Sequence, residues 1–263
     1  MDAITLAQKI AAISPSFSLN DGSRVYIVER DLQVREADLL AYARSIVEVQ
    51  HEVSKEDAAP ERLTVATIDG KPVRWAPGTR LTWWIDLDSF GNEEWANAAH
   101  SFVTKATQDW NQVAEDKADI CFEESNTQNN AVFSVKFEDF AQFGLIAVAF
   151  FPQDPVELRS VRIGPMAFEE DLSFDPIGVL RHELGHVLGF RHEHIRHPEL
   201  QHMEAWTTGN MSAEALTDLD TESVMHYLVG GYGDPELRIT ELDRKGLISL
   251  YTKPDDAVKQ YHP

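Results

Sequence analysis

The residues best suited to chemistry are three histidines in the stretch HELGHVLGFRH. His182 and His186 are four positions apart, so on a helix both imidazoles leave one face and can bind one metal ion. A continuous helix would place residue 192 about 120° from that face. A turn at Gly189 instead lets His192 return as a third ligand, because glycine adopts left-handed backbone conformations at low cost. Three histidines with an open fourth position are typical of a catalytic zinc ion.

Glu183 follows the first histidine directly, where it can reach a metal-bound water without being a ligand itself. In this hypothesis one Zn²⁺ lowers the pKa of its water toward ~7, and Glu183 accepts the proton as the water attacks an internal peptide bond. Two alternatives remain open, a metal-binding protein without turnover and a zinc hydrolase of a non-peptide amide. Glu183 argues against the first, since a mere metal binder needs no carboxylate there.

A helix must hold the first two histidines. Asp175 is a favourable N-cap and Pro176 a favourable first residue, so we predict a helix from Pro176 to about residue 188. The complete string H-E-x-x-H-x-x-G-x-x-H is far more specific than H-E-x-x-H alone, because each element answers a separate geometric need.

The surrounding patterns predict an α+β fold. Apolar residues at spacings of three and four predict a long helix over residues 93–113. Thr240, with Asp243 three positions later, predicts the start of a C-terminal helix. The expected strands are TRLTWWIDL, ADICFEES, AVFSVKFED, GLIAVAFFP and RSVRIGP. GLIAVAFFP is the leading candidate for an exposed edge that an extended substrate would join as an added strand.

The N-terminal part has a different character. Residues 24–47 begin with strand-like alternation and continue as an amphipathic helix, while residues 50–78 are rich in charge, proline and glycine, which predicts a linker. We therefore divide the chain into an N-terminal segment with its linker, residues 1–72, and a catalytic domain, residues 73–263.

The histidine string and the sequence SVMHY, residues 223–227, resemble the metzincin zinc endopeptidases, and the form of the turn together with Glu193 is similar to their astacin branch. The resemblance, to a distant bacterial-type relative, implies a mixed, mostly parallel twisted sheet with an active-site helix. It implies that Met225 lies beneath the metal and that Tyr227 is a labile fifth ligand that stabilises the oxyanion. Without the preceding motif, Met225 and Tyr227 would more often be core residues.

The stretch YIVERDLQV is similar to the astacin propeptide sequence F-E-G-D-I, which implies that Asp31 blocks the zinc until the segment is removed. Arg30 stands where the family has glycine. The alternative for Asp31 is a solvent-exposed turn residue. After cleavage, the resemblance implies that the new N-terminus is buried near Glu193.

The residue totals exclude several classes. With 44 acidic and 23 basic residues the net charge is −21, which repels nucleic acid, so the expected partners are proteins or peptides. No stretch reaches the ~18 apolar residues of a membrane span. The N-terminus lacks the pattern of a secretory signal, so we expect a cytoplasmic protein, export by a signal-independent route, or a missing leader. The oligomeric state does not follow from these totals.

Overall fold

The computed structural model describes residues 2–19, 21–29, 31–44, 63–115, 117–193, 213–218, 220–226 and 233–263. These residues mix helices and sheets, which confirms the predicted α+β class. The helices described are α1 (Ala3–Ile13), α2 (Glu93–Ala114), α3 (Pro176–Val187) and α4 (Glu241–Thr252). The strands described are β1 (Ser16–Ser18), β2 (Arg24–Val28), β3 (Leu32–Arg35), β4 (Thr64–Ile68), β5 (Lys71–Trp75), β6 (Thr79–Ile85), β7 (Ile120–Glu124), β8 (Phe133–Phe137), β9 (Ala147–Val148), β10 (Ser160–Ile163), β11 (Phe190–Arg191), β12 (Ala213–Ala215) and β13 (Lys259–Tyr261).

A five-stranded sheet forms the centre of the fold, in the order β7-β6-β8-β10-β9. Strand β6 pairs in parallel with β7 and β8, and β10 pairs in parallel with β8, whereas β9 is antiparallel to β10. The predicted mixed, mostly parallel sheet is confirmed. The predicted edge sequence GLIAVAFFP does supply the edge strand of this sheet, although only Ala147 and Val148 pair as β9.

Helix α2 packs its predicted apolar stripe against the main core. Ala99, Ala106 and Trp110 are fully buried, and Trp95, Phe102 and Val113 pack partly buried against the same cluster. The side chain of Trp110 also donates a 2.8 Å hydrogen bond to the carbonyl of Arg181. This contact joins α2 to α3, so the long helix supports the element that carries the histidines.

The N-terminal residues form a second, smaller cluster of apolar side chains. Leu6 and Ile10 of α1 pack against Tyr26, Val28 and Leu32 of the antiparallel β1–β2–β3 sheet. The same cluster includes side chains from later in the chain, Ala66, Val73 and Phe151. The N-terminal segment is thereby packed onto the rest of the protein.

Two sequence-based expectations for the N-terminal half are wrong in part. Residues 24–35 form the β2–β3 hairpin rather than a strand followed directly by a helix, because residues 32–35 continue a period-two pattern and helix starts only near residue 39. Residues 64–68 and 71–75, expected in a linker, form β4 and β5. The missed signal is the turn at Asp69 and Gly70, whose φ angles are +52° and +71°, typical of a two-residue hairpin.

The division of the chain at residue 72 stays a prediction. Strand β4 pairs with β11 and β12, and β5 pairs with the C-terminal β13. The predicted capping box of α4 is present between Thr240 and Asp243. In the described part of the chain, no helix combines the length and apolar character that crossing a bilayer requires.

Candidate metal centre

Helix α3 carries the first two histidines on one face. The Asp175 carboxylate caps it by accepting hydrogen bonds from the backbone of Ile177 and Gly178, at 3.1 and 3.2 Å. His182 and His186 lie one turn apart, with ring centroids 4.9 Å from each other. Both rings are buried, so the helix directs them into the protein rather than into solvent.

A turn at Gly189 brings the third histidine back to the first two. Its φ of +107° strains any other residue, and a Cβ there would lie 2.8 Å from the Val73 carbonyl oxygen. Beyond the turn, Phe190 and Arg191 pair with β4 as β11. The His192 ring then lies with its centroid 4.8 Å from that of His186. Strand β4 therefore fixes the direction from which His192 approaches.

The three imidazoles converge on a single carboxylate oxygen, Oδ2 of Asp31. Its distances to the Nε2 atoms of His192, His182 and His186 are 2.9, 3.3 and 3.7 Å. The structure thus brings Asp31 and the three predicted ligands together, and one ligand atom from each of the four lies within 4.8 Å of the others. Asp31 is buried, which contradicts the alternative of a solvent-exposed turn residue.

Backbone carbonyls orient the rings. Nδ1 of His182 lies 2.7 Å from the Val224 oxygen, and Nδ1 of His186 lies 2.8 Å from the Phe190 oxygen. A carbonyl can only accept, so each Nδ1 carries the proton and each Nε2 presents its lone pair to the centre. Metal-binding histidines commonly donate their other ring N–H to a carbonyl in this way.

Charges at the centre also favour a cation. Burial lowers the pKa of His186 and lowers that of His192 well below its usual value, so burial disfavours the charged form of these rings, which cannot bind metal. Burial opposes ionisation of Asp31, but attraction by His192 and His186 holds its pKa well below the ordinary range. Three neutral nitrogens and one carboxylate oxygen form a donor set that suits a zinc ion.

Glu183 lies beside the centre without joining the group of four. It is buried, and burial, followed by the negative charge of Asp31, raises its pKa well above the usual value. Its Oε2 has no hydrogen-bond partner among the described residues. The shift favours the protonated form of the carboxyl, and Oε2 is left able to bond to a ligand. Glu183 and His182 face a cleft of about 610 Å³, with Ala147 on the edge-strand side and the acidic Glu169 also lining it.

Met225 packs directly under the histidine helix. A Cβ at Gly185 would lie 2.3 Å from its sulfur, so the helix approaches the methionine as closely as glycine allows. Met225 also accepts a 3.0 Å backbone hydrogen bond from Glu193. The preceding turn is held by Asp243, which accepts from the Ser223 hydroxyl at 2.6 Å. Met225 is thus a buried side chain packed against α3. Its place beneath a metal ion stays a prediction.

Glu193 is buried next to the third histidine. Burial raises its pKa to about 8, and its carboxylate accepts a hydrogen bond from the backbone of Asp220. Its predicted part in burying a new N-terminus stays a prediction. Tyr227 lies outside the described residues, as do Arg30 and the additional histidines of residues 194–202, so the role assigned to Tyr227 also stays a prediction.

Sequence reasoning missed two residues beside the centre. Arg191 forms a fully buried ion pair with Glu29, whose carboxylate also accepts a 3.1 Å hydrogen bond from the Tyr42 hydroxyl. Glu29 Oε2 lies 4.0 Å from Nδ1 of His192. A glutamate two positions before Asp31 and an arginine next to a histidine were visible in the sequence, but nothing in their spacing indicates that they meet.

No family model matches the chain. Over 78 residues the chain is 35% identical to Tolloid-like protein 2 of Mus musculus, and equally to that of Homo sapiens. This match covers 24% of the chain, which spans only 8% of the length of those curated relatives.

Solved structures similar to this chain include myroilysin, with 16% identity, a TM-score of 0.47, and coverage of 73% of this chain and 99% of that one. They also include high choriolytic enzyme 1, a hatching-enzyme zinc protease from the medaka Oryzias latipes. For it the identity is 15% and the TM-score 0.39, with 69% of this chain and 95% of that chain covered. The distant resemblance to astacin-like metzincins, first based on the motif residues, is confirmed.

Proposed function

We propose that the chain is a zinc-dependent endopeptidase that its own N-terminal hairpin keeps latent. One observation carries the proposal: the Nε2 atoms of His182, His186 and His192 converge on one point in a buried pocket, and the buried carboxyl of Glu183 stands beside it. A site that only stores a metal needs no such carboxyl. Zinc would be held by the three histidines and would supply the Lewis acidity that polarises a peptide carbonyl and activates water.

Glu183 moves the proton in this proposal. Its buried carboxyl accepts a proton from the attacking water and passes it to the leaving amine, a transfer for which a raised pKa is suited. The adjoining cleft is large enough for side chains of a peptide. The edge strand β9 leads into the cleft and offers backbone groups with which an extended peptide can pair.

The proposed latency rests on the position of Asp31 among the three histidines. Asp31 contacts all three histidines, and its backbone carbonyl accepts a 2.9 Å hydrogen bond from Ala149, just beyond β9. The hairpin thus uses both the metal position and part of the edge that a substrate would need. A peptide and the hairpin could not bind together.

Metal analysis and cleavage of an unfolded protein substrate test the function. The protein is first cut at a protease site introduced within residues 45–62. In the cut protein, Glu183→Ala should lower the rate of substrate cleavage by about 10²- to 10⁴-fold, the usual contribution of a general base. The zinc content should be unchanged. Glu94→Gln, which neutralises an exposed carboxylate of α2 that does not line the cleft, should leave the rate within about twofold.

Unchanged proteolysis in Glu183→Ala would refute the mechanism. Zinc bound stoichiometrically without any hydrolysis would favour the metal-binding protein. Hydrolysis of small amides but not of peptides would favour the amide hydrolase.

A further inference from the structure

The tip of the β2–β3 hairpin carries two carboxylates. Val28 pairs with Leu32, so Glu29 and Asp31 lie between the two paired strands. Glu29 has a φ of +51°, a left-handed conformation that costs free energy in a residue other than glycine. The turn directs Asp31 to the three histidines and Glu29 to Arg191. Glu29 thus binds at a second point, beside the metal position rather than in it.

The contact of Glu29 with Arg191 is wholly enclosed. Both side chains have no exposed surface, and both carboxylate oxygens of Glu29 accept hydrogen bonds from Nη2 of the guanidinium. The Tyr42 hydroxyl, also from the N-terminal segment, donates to the same carboxylate. The segment therefore supplies both the charge and part of the cover for the pair.

Arg191, the other residue of this ion pair, lies outside the N-terminal segment. It lies on β11, which pairs with β4 and follows directly from the turn at Gly189. Among the described residues, Glu29 is the carboxylate that forms a salt bridge with Arg191. Nε and Nη1 of Arg191 have no hydrogen-bond partner among those residues. Withdrawal of Glu29 would leave a buried positive charge without its counter-ion, which is strongly destabilising.

We infer that Arg191 is a carboxylate-binding site distinct from the metal position, and that its occupant is Glu29 of the N-terminal hairpin. The hairpin is then held at two points, and only the Asp31 point can respond to a metal. Removal of the metal does not release the hairpin, because the Arg191 contact contains no metal ligand. The regulatory meaning of this inference rests on the proposed function. The test below does not rest on it, because it measures only whether the hairpin is attached.

The test uses the full chain, freed of metal with a chelator, and hydrogen exchange of backbone amides. The readouts are the amides of residues 24–35 and that of Ala149, which donates to Asp31 only while the hairpin is in place. Glu29→Gln should speed exchange at these amides by about 10- to 100-fold. The matched control is Glu36→Gln. Glu36 lies on the same segment but is exposed, with a 3.4 Å contact to Tyr26, and this variant should exchange as wild type does.

A small carboxylate provides the second arm. Glu29→Ala opens space beside Arg191, so added acetate should restore slow exchange, whereas acetamide, of the same shape but uncharged, should not. This arm also decides the matter if Glu29→Gln folds poorly, because folding with acetate and not with acetamide would support the same site. Wild-type exchange in Glu29→Gln overturns the inference, and so does acetate acting no better than acetamide. Neither result depends on zinc or peptidase activity, so the proposed function can fail while this inference stands.

Discussion

Two regions meet at the candidate metal centre: the histidine-bearing segment, residues 175–192, and the N-terminal hairpin, residues 24–35. In the first region several of the contacts that set the geometry are local. Asp175 caps the helix two and three residues away, and the Phe190 carbonyl orients the ring of His186 four residues before it. In the hairpin the decisive contacts are remote, since Asp31 and Glu29 meet partners 161 and 162 residues further along the chain.

This difference indicates that the two regions have different roles. Contacts within the histidine segment stay in place when a distant segment leaves, which the proposed activation requires. A segment attached through remote contacts can be withdrawn as a unit once its connection to the rest of the chain is cut. In the proposed latent state, the histidine segment is the receptor and the N-terminal hairpin is an internal ligand bound to it.

Replacing one of the three metal-binding histidines should have the largest effect, a loss of zinc affinity. In His186→Ala we expect zinc affinity to fall by more than about 100-fold, since loss of a supporting partner alone costs 10–100-fold. Competition against a chromophoric chelator measures this. His100→Ala is the control, because that histidine is partly exposed and contacts Glu124 rather than the centre. Equal zinc affinity in the two variants would show that the receptor region does not bind the metal.

Removing the hairpin's contact with the centre should have a smaller effect. In the uncut chain, Asp31→Ala should raise peptidase activity by roughly 10-fold, because the metal position opens while Glu29 still holds the hairpin. Initial rates on a quenched fluorescent peptide measure the gain. Asp38→Ala, on the same segment and paired with Arg35 at the surface, should change nothing. An Asp31→Ala chain as inactive as wild type would remove the latency proposal.

The smallest expected effect is a pH-dependent change in stability caused by Asp154, near the contact between the two regions. Phe151 packs in the hairpin's apolar cluster and against the ring of His186, and Asp154 accepts a 2.8 Å hydrogen bond from its backbone. Burial raises the pKa of Asp154 from 3.8 to about 7. The folded state then retains a proton that the unfolded chain loses, so stability falls as pH rises from about 4 to 7 and is constant above.

Asp154→Asn should remove this loss while keeping the hydrogen-bond acceptor. Its Tm should exceed that of wild type at pH 8, and the difference should shrink toward pH 4. Asp139→Asn controls for the substitution itself, because this exposed carboxylate accepts a similar backbone hydrogen bond from Ala141. A Tm difference that is the same at both pH values would contradict the assigned cause.

Much of the receptor could be predicted from the sequence. Cap, helix, four-residue histidine spacing and glycine turn are all local, and the structure places them as expected. Strands β4 and β5 were missed although their signal was local too, because charge and proline in residues 50–78 outweighed the Asp69–Gly70 turn. The hairpin was missed for a similar reason, since the helix-like spacing beyond residue 35 concealed the second strand.

The sequence by itself determined that three imidazoles could share one ion, because backbone geometry over eleven residues leaves little freedom. Only the tertiary structure decided that Asp31 lies among them and that Glu29 neutralises Arg191. Those contacts depend on packing of the N-terminal apolar cluster against Val73 and Phe151. Such packing consists of many weak, non-directional contacts between distant parts of the chain, so no local pattern in the sequence predicts it.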